Sequence, residues 1–201
     1  MAKDVTQKVS NHIGGKDLIT VGIYTVIYIV IIGIFGALSF IPIFIPLTAV
    51  FCPLIGGIPF MLYVTKAKKF GMTTIMGTLI GVLMFVMGMG YWVAITGLVF
   101  GLVADLVLKS GKYQSAKRTI LACGFFSMWE FGNLMPFFVG REAYLAQLQE
   151  GYGAEYVSTV SSYMPMWILP ILLIATFIFG LLGGLIGKAI CKKHFKRAGI
   201  A

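Results

Sequence analysis

Acidic residues are scarce in this chain: seven Asp and Glu stand against sixteen Lys and Arg among 201 residues. Charge of either sign is thin, at 11%, where soluble domains carry about 25%. With 59% hydrophobic residues and a mean hydropathy of +0.94, the chain is excluded from the soluble class and takes the bilayer core as its solvent. Its two histidines, His12 and His194, fall in polar tails, so the apolar segments hold no His-based catalytic dyad and no metal cluster. Cys52, Cys123 and Cys191 lie in or beside apolar runs without paired spacing, which supports neither a disulfide framework nor a zinc site. Gly-Lys pairs occur at 15–16, 111–112 and 187–188, but Ser10, Leu106 and Leu182 stand where a phosphate-binding loop needs its first glycine. The chain is therefore not expected to hydrolyse ATP, and no motif asks for a cofactor. Residues 1–16 are polar and lack the apolar core of a cleavable signal peptide. No inverted internal repeat is visible.

What is present is a series of apolar runs. A helix needs about 20 apolar residues to cross the membrane. Six spans are expected at about 18–40, 43–65, 72–89, 91–108, 119–139 and 164–191, with a long connection over 140–163. The fold class is then an all-α membrane protein, a six-helix bundle forming one integral domain over 1–201. Lys and Arg set the orientation. Fifteen of the sixteen fall in the two ends and in the second-to-third and fourth-to-fifth connections, all on one face if there are six spans. Arg141 alone falls on the other face, with Glu142, Glu150 and Glu155. Both termini are expected in the cytoplasm and the chain in the cell membrane. The basic clusters suit topology control and contact with anionic lipid headgroups, not nucleic acid.

The most informative residue is Glu130, in Trp129-Glu130-Phe131-Gly132-Asn133-Leu134-Met135-Pro136. A carboxylate at bilayer depth costs roughly 2.5–3.5 kcal/mol on insertion scales, so it faces a partner, a cavity or a ligand. It lies 12 residues past Arg118, roughly 18 Å into a core of about 30 Å, in the outer half. Asn133 and Ser127 are three residues to either side and share its stripe, with Trp129 alongside. Few polar groups in an apolar and aromatic wall suit a small polar ligand. A structural hydrogen bond between helices and a proton relay are the other two readings. Asp105, the other intramembrane acid, sits four residues before Lys109, and an i,i+4 ion pair would account for it.

Trp92, Trp167 and Tyr163 fall at outer helix ends, the place of an interfacial belt, and by level Trp92 and Trp167 also reach the mouth of a cavity floored by Glu130. The long 140–163 connection is a lid over an outward pocket or a solvated connector. Glycines recur four apart at Gly77/Gly81, Gly97/Gly101, Gly180/Gly184 and Gly183/Gly187, a spacing that lets membrane helices pack closely.

With these residues laid out, the chain resembles an S component of an energy-coupling factor (ECF) transporter. More narrowly, it is similar to the Trep_Strep group of such proteins. The stretches that carry the resemblance run from Lys16-Asp17-Leu18-Ile19 to Tyr28 and from Trp129 to Pro136. The resemblance implies capture of a vitamin-like micronutrient at the outer face, then docking on a transmembrane scaffold subunit and two cytoplasmic ATPases. It implies a substrate site among Glu130, Asn133, Trp129, Trp92, Trp167 and Tyr163. The family's docking face on the first helix has two alanines four apart. Here Gly22 and Val26 hold that spacing, with Thr25 adjacent.

The leading expectation is thus a substrate-binding subunit of an ATP-driven importer, not an enzyme. The substrate would be an amine or a heterocycle anchored by Glu130. The alternative is a stand-alone channel or proton-coupled carrier with Glu130 as the titrating group. An intramembrane enzyme ranks last, because Glu130 and Asp105 are 25 residues apart at opposite depths.

Overall fold

The computed structural model describes residues 12–192, and among these every regular element is helical. Helix α1 (Gly15–Gly36) is followed by α2 (Phe44–Lys66), α3 (Met72–Val86), α4 (Trp92–Ser110) and α5 (Ala116–Ser127). Then come the four-residue α6 (Phe131–Leu134), α7 (Arg141–Tyr152), α8 (Ala154–Tyr163) and α9 (Leu169–Ile190). Four segments are long and apolar enough to cross a membrane unaided: Gly15–Phe40, Phe44–Lys66, Trp92–Ser110 and Met166–Ile190. The expected third span is a 15-residue helix, about 22 Å long at 1.5 Å per residue and so shorter than the hydrocarbon core. The expected fifth span, 119–139, is not one helix: α5 ends at Ser127, and the chain continues as a 3₁₀ turn (Met128–Glu130), α6 and a second 3₁₀ turn (Met135–Phe137).

The long elements pack as a closed ring. Helix α1 lies on α2 and α3, α3 on α4, α4 on α5, α5 on α9, and α9 on α2. Glycine sets the close approaches. Gly77 and Gly81 of α3 meet Gly97, Gly101 and the Val93–Ala94 backbone of α4 directly, so the two pairs read from the sequence are one interface. Helix α9 carries two such stripes. Gly183 and Gly187 face Pro53, Leu54 and Gly57 of α2, while Gly180 and Gly184 face Cys123, Gly124 and Ser127 of α5. A side chain at Gly57 would collide with the Gly183 carbonyl group. Backbone contact of this kind replaces the hydrophobic drive that lipid cannot supply.

The described basic residues other than Arg141 gather at one end. Lys69 pairs with Asp17 at 2.7 Å and donates to the His12 carbonyl, which ties the start of α1 to the α2–α3 connection. Lys68 donates to the Tyr113 carbonyl, which adds the α4–α5 turn. Lys3, Lys8, Lys193, Lys196, Arg197 and His194 lie outside the described residues.

Asp105 requires a correction. It is fully buried, and Lys109 is not its partner: the Lys109 ammonium sits 4.5 Å from the Phe70 ring centroid. Asp105 Oδ2 instead accepts from the Gly71 N–H at 2.7 Å and from the Thr74 N–H and hydroxyl at 3.1 Å each, and Oδ1 accepts from the Tyr113 hydroxyl at 3.1 Å. Gly71 is the N-cap of α3 at φ 100° and has no side chain with which to cap the helix. Asp105 of α4 thus caps α3 from across the interface and complements its dipole.

The 140–163 connection is also ordered. It forms the helical pair α7 and α8, hinged at Gly153 (φ 86°). Val160 and Met164 are fully buried in an apolar cluster with Ile45, Ala49, Phe131, Leu134, Phe137, Phe138 and Leu172. The Arg141 guanidinium donates to the carbonyls of Phe137 at 2.8 Å and Met164 at 2.6 Å, joining the two ends of the hairpin. The cap thereby covers the broken fifth element at the end opposite the lysines.

Candidate functional site

Helix α5 stops at Ser127 because the next turns tighten to 3₁₀ geometry, which breaks the i→i−4 ladder. Pro136, which has no N–H, keeps a regular helix from resuming downstream. Inside a membrane the freed carbonyls need new donors. Thr96 of α4 supplies one: its hydroxyl lies 2.9 Å from the Trp129 carbonyl, closer than to its own helix's Trp92 carbonyl at 3.1 Å. Gly132 allows this approach, since a side chain there would strike Thr96 and the Val93 backbone. The break is therefore held by one hydroxyl from α4 and by a missing side chain on the broken element itself.

Glu130 ends the first 3₁₀ turn and is 5% exposed. Its flanking residues belong to different clusters. Trp129 packs into the main core with Tyr28, Phe60 and Phe126, and Phe131 into the cap-side cluster. The carboxylate sits at the seam between them. The Asn133 side chain is the group that reaches it, while Asn133 Oδ1 is buried without a partner. Tyr28 of α1 and Cys52 of α2 belong to the same core cluster as the neighbouring Trp129. Among the described residues no lysine or arginine pairs with Glu130. What the broken element brings together here is a carboxylate and an amide oxygen, next to the Trp129–Tyr28 pair.

The other residues read from the sequence divide. Trp129 is 1% exposed, and its indole N–H donates to the Tyr28 hydroxyl at 3.1 Å. The two rings meet edge to face, and Tyr28 makes a second edge contact with Phe126. Trp129 is thus a neighbour of the site tied into the core. Ser127 does not share the stripe: it is buried against Gly180 and donates back to the Cys123 carbonyl at 2.9 Å. Trp92 begins α4, half-buried, with its ring 5.0 Å from that of Tyr91. Trp167 and Tyr163 are 67% and 39% exposed and do not join Glu130. On α1, Gly22 and Val26 border open space, whereas Thr25 turns inward and donates to the Val21 carbonyl.

Thr96, Tyr28 and Cys52 were not singled out from the sequence as site residues. Tyr28 ends a stretch that carries the family resemblance. Thr96 had no signal, because its role depends on a break in a different helix. Among the described residues, one surface cavity lies among the lysines at the basic end (about 710 Å³) and another around Gly140–Ala143 (about 440 Å³), and Glu130 lines neither.

A family model described as "Hypothetical bacterial integral membrane protein (Trep_Strep)" matches residues 15–197. The chain matches no curated protein and no solved structure.

Proposed function

The chain belongs to the Trep_Strep family of bacterial integral membrane proteins, and from that premise we propose that it is the substrate-binding S component of an ECF-type importer. The observation that carries this reading is Glu130, a buried carboxylate with no cation beside it among the described residues, next to the unpartnered Asn133 Oδ1 on a broken membrane element. Two adjacent acceptors call for a ligand that donates, which suits an amine or an N–H-bearing heterocycle. Burial of such groups without a permanent partner is costly, and a ligand that supplies the donors recovers that cost on binding. In this reading the chain spans six times with both termini in the cytoplasm. The α7–α8 cap is the gate through which the substrate enters from outside. The exposed α1 face around Gly22 and Val26 docks on the scaffold subunit, and ATP is hydrolysed by two partner ATPases.

The test is native mass spectrometry of the full chain purified from its own membranes. A small-molecule adduct on the wild type that is lost in Glu130→Gln supports the reading, as does co-isolation of a scaffold and ATPases. Uptake by the chain alone in liposomes, driven by a pH gradient, would overturn it in favour of a proton-coupled carrier.

A further inference from the structure

The cavity of about 710 Å³ at the basic end is lined by neither Glu130 nor Asn133 and takes no part in the site above. Three separate parts of the chain build it: the end of α2 with Lys68, the α4–α5 turn with Lys112 and Gln114, and the end of α9 with Lys188. Its floor is apolar, with Met61 and Val64 among the lining residues. Among the described residues no Asp or Glu lines it, and none of the three lysines makes an ion pair. Lys68 is exposed overall, yet desolvation around its ammonium holds it below the usual lysine range. Its Nζ donates to the Tyr113 carbonyl at 3.2 Å, and Lys112 and Tyr113 both hold left-handed φ angles of 51° and 56°. The turn is thereby bent to bring Lys112 to the cavity wall beside Lys68.

Three like charges around one cavity repel, and that repulsion is relieved by an anion that all three reach. The apolar floor belongs to a ligand with hydrocarbon below its charge. The volume falls in the ordinary range for small-molecule sites. Basic cavities between helices at a membrane face hold phosphate headgroups. We infer that this cleft is a binding site for the phosphate group of an anionic phospholipid, seated between α2, the α4–α5 turn and α9. The bound lipid clasps the ends of three helices that no short connection joins. This assignment is independent of what occupies the Glu130 site.

The experiment uses the full-length chain, delipidated in mild detergent and titrated with phosphatidylglycerol or phosphatidylcholine, with bound lipid counted by native mass spectrometry. Phosphatidylglycerol is retained at least about tenfold better, and Lys112→Gln/Lys188→Gln removes that preference. Lys66→Gln/Lys117→Gln removes the same charge at the same end, outside the cleft, and retains it. Equal retention of both lipids by the wild type, or equal loss in both double variants, overturns the site. Lys68 is left intact because its bond to Tyr113 supports the turn. A second arm replaces lipid with inorganic phosphate: a thermal upshift as large as that from phosphatidylglycerol, lost in Lys112→Gln/Lys188→Gln, overturns the lipid as the source.

Discussion

Asp105 on α4 and Gly71 at the start of α3 are joined by a 2.7 Å hydrogen bond from the Gly71 N–H to Oδ2. The carboxylate takes two further donors from Thr74 and one from Tyr113, so a buried acid is fully satisfied by two other segments. It therefore locks the α3–α4 pair, whose glycines are already in backbone contact.

From this it follows that Asp105→Leu destabilises the bundle by about 2–4 kcal/mol, through lost charge-assisted bonds and an uncapped α3. Asp105→Asn keeps one acceptor oxygen and loses less. Lys109→Met, by contrast, leaves stability within about 0.5 kcal/mol, as for an exposed substitution. Thermal unfolding in one detergent compares the three. A Lys109→Met loss as large as that of Asp105→Leu would restore the i,i+4 ion pair as the explanation.

Much of the layout was legible from the chain itself. Apolar runs located the long helices, lysine positions foretold a basic end, and the glycine spacing marked the tight interfaces. The acid at Glu130 was recognisably out of place. What escaped was whatever depends on pairing between elements. The i,i+4 rule sees along one helix, but the donor to Asp105 lies 34 residues away on another. The break after Ser127 is stabilised from α4 by Thr96, which nothing in the 119–139 run announces. The α7–α8 hairpin is hard to see in the chain because its apolar face is thin: Tyr144, Leu145, Leu148 and Tyr156 are only partly buried, Val160 alone is buried in α8 and no residue is buried in α7.

Trp129 and Tyr28 offer a measurable coupling. Tyr28→Phe removes the acceptor of the indole N–H and leaves that donor buried, at a cost of about 1–3 kcal/mol. Trp129→Phe removes the donor and some packing. Because the two residues share one bond, the double variant is less unstable than the sum of the singles. The double-mutant cycle in thermal unfolding measures this coupling, and strict additivity would show that the bond contributes nothing.

Opening of the cap rests on Arg141, whose guanidinium holds the carbonyls of Phe137 and Met164. Arg141→Gln cannot reach both, so backbone amides of 141–163 exchange hydrogen faster, while α2 and α9 keep their protection. Charge-assisted bonds of this type are each worth about 1.5–3 kcal/mol, enough to raise cap opening by an order of magnitude or more. Unchanged exchange in 141–163 would mean that Val160 and Met164 suffice to hold the hairpin.

The docking reading of α1 predicts a separation of assembly from stability. Gly22 and Val26 border open space, so Gly22→Leu leaves thermal unfolding of the isolated chain nearly unchanged. If the proposed importer assembles through this face, the same bulk would hold two helices apart, and co-isolation of the scaffold subunit would fall. Gly57→Ala gives the reverse pattern: its side chain meets the Gly183 backbone inside the chain, and overpacking costs about 1–3 kcal/mol wherever the protein is measured. If Gly22→Leu leaves scaffold recovery intact, the docking face lies elsewhere.

Glu130 separates a ligand anchor from a structural strut by the sign of a stability change. If the carboxylate held helices together, removing it would weaken the fold. In the structure its contact is with Asn133, three residues along the same chain, and among the described residues no basic group pairs with it. A buried acid so sparsely compensated is a burden on the empty protein, and a hydrophobic residue of similar size in its place is neutral or stabilising, by up to about 1–4 kcal/mol. Glu130→Leu is therefore expected to unfold at the same temperature as the ligand-free wild type or higher, and to lose the co-purified small molecule altogether. Glu130→Gln keeps the size and one acceptor, and is expected to hold stability while weakening retention at least tenfold, the size of one charge-assisted hydrogen bond. The comparison is made on delipidated, ligand-stripped protein by thermal unfolding, with retention scored by mass. A large drop in the unfolding temperature of Glu130→Leu would make Glu130 a strut and remove it from the substrate site.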